Sequence, residues 1–259
     1  MTKKIFIFLI MILFLSLGLK TESKYWRSEK YLNLIGDLEK LGFSESEIDS
    51  LFSDSRLKFY PTIIKKIKTT KVPKLTGPNS KLLSEESVNK GKEFIKDNIK
   101  LLEKAEKEYG VEKEIIVAIL KLESDLGQNL GSYQAFGIFN SIVFYSKSDS
   151  RRSQWAKNEL VALLSLCQKL GISPFKIKSS WAGAIGICQF LPTSCLAFGV
   201  DGNSDGKVNL FELEDVIFSI ANYLTRHGWK KDEAKAIYSY NHSLNYVQGI
   251  LAYAKKIKE

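Results

Sequence analysis

The chain has 259 residues, of which 44% are hydrophobic, and its formal net charge is +9. This length and composition exclude general disorder and allow one large core or two small ones. The positive charge favours an anionic partner, which includes nucleic acid, a membrane surface and a cell-wall polymer.

Residues 1–20 are predicted to be a signal peptide or an N-terminal membrane anchor. Lys3 and Lys4 precede an uncharged apolar run from Ile5 to Leu19. That run is short for a membrane span and has the length of a signal-peptide core. The rest of the chain is therefore expected to be exported, to the periplasm or the cell envelope, where nucleic acid is not an expected partner.

Apolar residues recur at helical spacing along most of the remaining chain. Residues 21–79 are predicted to form a helical N-terminal extension, with a capping box at Ser44 and Glu47 and a connecting loop from Lys68 to Ser80. Residues 80–259 are predicted to form the main domain. Its helices are expected over 84–109, 115–126, 155–170, 213–224, 232–240 and 243–257, and Gly110, Gly127 and Gly171 supply stops. No stretch alternates as a strand would, so the fold class is mainly α.

Glu123 is the first candidate for catalysis. In the segment Ile115–Gly127 it shares a helix face with Ile119 and Leu120. A carboxyl group on an apolar face holds its proton near neutrality, which suits a general acid. A glutamate at the edge of an amphipathic helix, with its carboxylate in water, has the same pattern, so the pattern alone leaves both interpretations open.

Residues 201–212, DGNSDGKVNLFE, fit the calcium-binding loop of an EF-hand position by position. Gly206 stands where the loop turns sharply. The predicted metal ligands are Asp201, Asn203, Asp205, the backbone carbonyl of Lys207, and Glu212. Since only one such loop is present, structural calcium is expected rather than a paired sensor.

The histidines and cysteines give little support to metal-dependent hydrolysis. Nucleophilic catalysis by a His–Ser or His–Cys pair is left open, although no GxSxG elbow accompanies any serine. His227 and His242 lack the HExxH spacing of zinc proteases, and His227 is predicted to end a helix. Cys167 lies on a helical apolar face and is predicted to be a buried thiol. A disulfide between Cys188 and Cys195 is left open.

Polysaccharide chemistry fits the late part of the chain better. Such sites combine an acid with hydrogen-bonding amides and aromatic surfaces. Gln189 supplies an amide, and aromatic residues gather nearby in sequence, at Trp181, Phe190, Tyr238, Tyr240 and Tyr246. Each of these aromatic residues is also typical of a hydrophobic core.

Four motifs then appear in a fixed order: Glu123-Ser124 followed by Gly127, Ser180–Gly186 followed by Gln189–Pro192, the Asp201 loop, and Tyr240-Asn241. In this order they resemble the lytic murein transglycosylase B family, glycoside hydrolase family 103, from about Gly42 onward. Arg151-Arg152 resembles an arginine pair of that family. The sequence departs from the family at Leu126, where an aromatic residue is usual, and at Asp149-Ser150, where Tyr-Pro is usual.

The resemblance implies a lysozyme-like helical domain of the SLT type that cuts peptidoglycan between N-acetylmuramic acid and N-acetylglucosamine. It implies that Glu123 acts first as acid and then as base, closing a 1,6-anhydro ring. It also implies glycan contacts from a set of polar side chains: Ser180, Gln189, Tyr240, Asn241, Arg151 and Arg152.

Three alternatives stay open on the sequence. A hydrolytic muramidase would use the same acid, with water in place of the internal hydroxyl. A non-catalytic, calcium-stabilised peptidoglycan-binding protein would keep the fold without turnover. An exported adaptor would change its partner binding in response to calcium.

Overall fold

The computed structural model describes residues 24–65, 75–77 and 80–259. The predicted signal or anchor segment lies outside these ranges, as does most of the predicted loop from Lys68 to Ser80. Within the described ranges, no helix combines the length and the apolarity that crossing a membrane requires.

The chain forms two compact units, with the boundary between Asp54 and Ser55. The sequence places a boundary further along, at residues 79–80, and that domain assignment stays a prediction.

The first unit contains helices α1 (Leu32–Lys40) and α2 (Glu45–Ser53), preceded by two short 3₁₀ turns, Tyr25–Arg27 and Glu29–Tyr31. The predicted capping box is present at the start of α2. The Ser44 hydroxyl accepts the Glu47 N–H at 3.3 Å, and the Glu47 carboxylate accepts the Ser44 N–H at 2.7 Å. Two N–H groups of the helix end are thereby satisfied, which confirms the start predicted from the sequence.

The second unit is mainly helical. Its helices are α3 (Glu85–Asp97), α4 (Ile99–Tyr109), α5 (Lys113–Ser124), α6 (Ala135–Tyr145), α7 (Arg151–Leu170), α8 (Pro192–Phe198), α9 (Leu213–Arg226), α10 (Glu233–Tyr240) and α11 (Leu244–Lys258), with 3₁₀ turns at Lys81–Leu83 and Pro174–Lys176. Two short antiparallel strands, β1 (Tyr133–Gln134) and β2 (Lys178–Ser179), also pair, and the sequence pattern did not predict them. The mainly α class is confirmed.

Two helix predictions need correction, and one helix was not predicted. The helix predicted from Ser84 to Tyr109 is two helices, because Asn98 leaves helical geometry and its side chain donates to the Phe94 carbonyl at 2.9 Å. Helix α5 ends at Ser124, three residues before its predicted glycine stop. The aromatic stretch over 133–145 is largely helix α6, which has no amphipathic period because residues Ala135–Val143 are all buried.

Helix α11 packs against α3 and α5 at close range. Gly91 on α3 makes this approach possible, since a Cβ there would lie 2.5 Å from the Tyr253 hydroxyl oxygen. The Tyr253 hydroxyl donates to the Ser87 carbonyl at 2.6 Å. This contact joins the second half of α11 to the first turn of α3.

Candidate active site

Glu123 lies on the last turn of α5, where part of its side chain still reaches solvent. The Tyr246 hydroxyl, on α11, donates to Glu123 Oε1 at 2.6 Å. Burial raises the pKa of Glu123 from 4.5 to about 7, although the Tyr246 hydrogen bond opposes the rise. The carboxyl group can therefore hold and release a proton near neutral pH, as a general acid must.

The backbone after Glu123 is held in an unusual shape. Asp125 and Leu126 both have left-handed conformations, with φ of 52° and 59°, and Gly127 follows at 90°. The Ser124 hydroxyl accepts the Gly127 N–H at 2.9 Å, and the Ser124 carbonyl accepts the Asn129 N–H at 2.8 Å. Such strain costs about 1–3 kcal/mol for each residue and persists only where the surroundings enforce it. The left-handed backbone at Asp125 explains why α5 ends at Ser124, directly after Glu123.

We call Glu123 and its partner Tyr246 the Glu123 group. Tyr240 connects this group to a second segment. Its ring stacks on Tyr246, with centroids 6.4 Å apart and planes 10° apart. Its hydroxyl donates to the Cys188 carbonyl at 2.6 Å. The residue after Cys188 is Gln189, so this bond holds the backbone next to the predicted amide against the ring of Tyr240.

We call residues 180–192 the small-residue loop. Its start is a turn in which the Ser180 hydroxyl accepts the N–H groups of Ala182 and Ala184, both at 3.2 Å. Gly183 is required there because a Cβ would lie 2.3 Å from the ring of Phe139. The small residues of this stretch thus permit close packing of the loop on α6.

Gln189 has a left-handed backbone, with φ of 52°, and its side-chain N–H donates to the Gly186 carbonyl at 2.8 Å. A non-glycine residue in this region is uncommon and often functional. The internal hydrogen bond fixes the direction of the amide.

The structure brings some predicted site residues together and leaves others apart. Glu123, Tyr246 and Tyr240 are joined by a hydrogen bond and a ring contact, and Tyr240 bonds to the backbone carbonyl of Cys188, the residue before Gln189. Ser180 opens the same loop and is engaged in its turn. Asn241 is exposed just after α10, and Arg151 and Arg152 lie on the first turn of α7. Among the described residues, no hydrogen bond or ion pair joins either arginine to the Glu123 group. The roles of these residues stay predictions.

Sequence reasoning did not identify Tyr246 as the partner of Glu123. The two residues are 123 positions apart, and Tyr246 was counted only as one aromatic residue among several. The available local signal was Ser243, whose hydroxyl accepts the Tyr246 N–H at 3.4 Å and caps α11. That signal places Tyr246 in a first turn but does not identify its partner.

The histidine and cysteine predictions have definite outcomes. His227 ends α9 as predicted, and its ring stacks on Tyr223 at 4.0 Å. Cys167 is buried as predicted. Cys188 and Cys195 are buried free thiols, so the disulfide left open by the sequence is not formed. Burial raises the pKa of Cys167 and of Cys195 to about 12, which keeps both thiols protonated.

The loop 201–212 has the turn expected of a calcium loop, with Gly206 at φ 87°. The Asp201 carboxylate accepts the N–H groups of Asp205 at 3.1 Å and Gly206 at 2.8 Å. At the far end, the Glu212 carboxylate accepts the side-chain amides of Asn203 at 2.9 Å and Asn209 at 2.7 Å. Glu212 therefore points back across the loop, toward its first residues.

This donor set fits a hard cation in its chemistry, because it consists of carboxylate and amide oxygens. In the part of the chain that the structure describes, no three His, Cys, Asp or Glu side chains converge closely enough to form a metal cluster. Outside the loop, the fully buried Asp215 accepts the N–H groups of Gly202 at 2.8 Å and Asn209 at 2.6 Å. The hydrogen bonds from Gly202 and Asn209 to Asp215 thus hold the loop in place. The predicted set of calcium ligands stays a prediction.

The sequence profile of the Transglycosylase SLT domain matches residues 28–236. The chain belongs to this family. It is 31% identical over 212 residues to the membrane-bound lytic murein transglycosylase B of Escherichia coli strain K12, an alignment that covers 77% of this chain and 57% of that protein. The aligned part is thus little more than half of that relative. The family resemblance inferred from the sequence is confirmed.

Two solved structures show the same fold as this SLT-domain chain. The lytic transglycosylase Slt35 of Escherichia coli, solved in complex with calcium, has a TM-score of 0.79 at 21% identity and covers 91% of this chain and 94% of its own. SltB3 of Pseudomonas aeruginosa, in complex with NAG-anhNAM-pentapeptide, has a TM-score of 0.72 at 19% identity and covers 88% of this chain and 79% of its own. The predicted lysozyme-like helical fold is thereby confirmed.

Proposed function

We propose that this protein is a lytic transglycosylase that cleaves the β-1,4 bond between N-acetylmuramic acid and N-acetylglucosamine in peptidoglycan. The observation that carries the proposal is the Glu123 carboxyl group, with a pKa of about 7 and a single tyrosine donor at 2.6 Å. Membership of the SLT-domain family and the name of the Escherichia coli relative support it.

The reaction needs one proton carrier. Protonated Glu123 donates its proton to the glycosidic oxygen as the bond from muramyl C1 to that oxygen breaks. The carboxylate then takes the proton of the muramyl C6 hydroxyl, whose oxygen bonds to C1. The products are an N-acetylglucosamine end and a 1,6-anhydro ring, and Glu123 recovers its proton without consuming water.

The surroundings of Glu123 support the use of one carboxylate. Most glycosidases use two, the second as nucleophile or as base for water. The nearest acid in sequence, Asp125, forms an ion pair with Lys121 and has 48% of its side chain exposed. An internal hydroxyl nucleophile makes a second carboxylate unnecessary.

The substrate is proposed to lie along the Glu123 group and the small-residue loop. Gln189 and Ser180 would bind the sugar amides and hydroxyls, with Tyr240 and Asn241 beside the acid. Arg151 and Arg152 would bind the glycan or the carboxylates of the stem peptide. The complex of SltB3 with NAG-anhNAM-pentapeptide supports a substrate of this class.

Calcium is proposed to stabilise loop 201–212. Asp201, Asn203, Asp205, the Lys207 carbonyl and Glu212 would hold it, and bound calcium would neutralise their charge and fix the loop. The calcium complex of Slt35 supports this. The protein is also proposed to be exported to the periplasm or cell envelope, with residues 1–20 as its signal or membrane anchor.

The test is mass analysis of the products released from purified sacculi by the wild type and by Glu123→Gln. We expect the wild type to release anhydromuramyl products and the variant to release none. The matched control is Glu114→Gln, the same change at a buried glutamate on the same helix, which should keep the activity.

Other outcomes would overturn the proposal in different ways. Products heavier by one water would identify a hydrolytic muramidase. Sacculus binding without soluble product at any pH would identify a non-catalytic wall-binding protein. Undiminished release by Glu123→Gln would remove Glu123 from the mechanism.

A further inference from the structure

Glu159, on α7, is a buried carboxylate that the proposed reaction does not use. Its residue is only 2% exposed. Thr193 donates to it twice, from its N–H to one oxygen at 3.0 Å and from its hydroxyl to the other at 2.7 Å. Burial raises the pKa of Glu159 and these two hydrogen bonds oppose the rise, so the contact with Thr193 offsets part of the cost of burying this group.

Glu159 contacts the small-residue loop at its exit. Thr193 directly follows the loop and lies in the first turn of α8, so Glu159 fixes the loop exit. Trp155, one turn earlier on α7, contacts the ring of Phe139 edge to face, with centroids 5.7 Å apart. Phe139 is the ring that occupies the space left by Gly183 near the loop entry. Helix α7 therefore holds the exit through Glu159 and supports the entry through Trp155.

Glutamine at position 159 keeps the size of the side chain but changes its hydrogen bonding. Its one oxygen can accept only one of the two Thr193 donors, and its NH₂ group would face the other. The Thr193 hydroxyl would then have to turn and accept, and the loop exit would have to adjust to this new pairing.

We propose that Glu159 is a positioning residue that sets the shape of the substrate-binding loop. The proposal rests on the proposed function, since the loop carries Ser180 and Gln189, the suggested sugar contacts. Glu123 lies on a different helix, α5, so its chemistry should continue once substrate is bound. A changed contact between residue 159 and Thr193 should therefore weaken substrate binding more than turnover.

The experiment compares Glu159→Gln and Thr193→Val with the wild type on purified sacculi, measuring kcat, KM and melting temperature. We expect KM to rise about tenfold in Glu159→Gln, with kcat changed less than about threefold. Thr193→Val removes only the hydroxyl donor, so its KM should rise less.

The matched control is Ser219→Ala. The Ser219 hydroxyl accepts the Val200 N–H at 2.9 Å, just beyond the other end of α8. This variant should lower the melting temperature without changing KM. If Glu159→Gln behaves in the same way, Glu159 is structural only and the proposal is wrong.

The two proposals fail differently. If the wild type releases no anhydromuramyl product, the proposed function fails, and sacculus binding of the wild type and Glu159→Gln is then measured by sedimentation. Weaker binding by the variant would still support a positioning role. Equal binding, or no binding by the wild type, would overturn it.

Discussion

The Glu123 group and loop 201–212 both present carboxylates, but they are built in opposite ways. The loop draws its groups from twelve consecutive residues, and the carboxylates of Asp201 and Asp205 accept nearby backbone N–H groups. Glu123 receives a side-chain hydrogen bond from Tyr246, 123 positions away, whose ring stacks on Tyr240. Burial favours a protonated acid at Glu123, whereas the loop presents the carboxylate and amide oxygens that a hard cation requires.

The largest expected effect tests the raised pKa of Glu123. Because the first step needs the protonated form, activity should be present below the pKa of about 7 and lost as pH rises through it. The rate should fall about tenfold for each pH unit above this value, as measured by product release at saturating substrate. A rate that stays level up to pH 9 would contradict the role of Glu123 as the acid.

Stability should follow the same pKa. The folded carboxyl group, with a pKa of about 7, releases its proton less readily than the unfolded one, near 4.5. The wild type should therefore lose stability relative to Glu123→Gln as pH rises from 4.5 to 7, by on the order of 2 kcal/mol. Urea unfolding of both proteins at several pH values measures the difference.

Calcium addition tests the other region. At calcium concentrations about a hundredfold above Kd, the melting temperature of the wild type should rise by about 5–10 °C, because calcium binds only the folded loop. Glu212→Gln should lose most of this rise, since it removes the closing carboxylate. Glu214→Gln, an exposed glutamate two residues further on, should keep it. Equal responses would show that the loop does not bind calcium through Glu212.

Tyr246→Phe tests the long-range contact. Removing the hydroxyl leaves Glu123 without its donor, so the pKa of Glu123 should rise further and kcat should fall about tenfold. The loss of rate at high pH should move to higher pH. Tyr253→Phe is the matched control, since its hydroxyl makes a bond of the same 2.6 Å length from the same helix. It should lower stability and leave the pH profile unchanged.

The smallest effect concerns Asp125. Its ion pair with Lys121 is partly exposed and contributes about 0–1 kcal/mol. If Glu123 acts alone, Asp125→Asn should change the rate of product release less than about twofold. A loss of a hundredfold or more would instead identify Asp125 as a second catalytic carboxylate.

Local features were predictable from the sequence because their causes are local. The capping box at Ser44, the left-handed stops at Gly110 and Gly171, and the turn at Gly206 each depend on residues a few positions apart. The break at Asn98 and the early end of α5 were missed. In both places a polar or left-handed residue ends the helix, although the apolar pattern of the sequence continues beyond it.

The sequence by itself determined the mainly helical class, the family, the position of Glu123 on an apolar helix face and the spacing of loop 201–212. These follow from periodicity and from short motifs. Only the tertiary structure decided that Glu123 is paired with Tyr246, that Tyr240 holds the Cys188 carbonyl, and that Cys188 and Cys195 are separate buried thiols. The physical reason is that the pKa of a carboxyl group depends on how it is buried and which donors reach it, and here packing brings the donor from the far end of the chain.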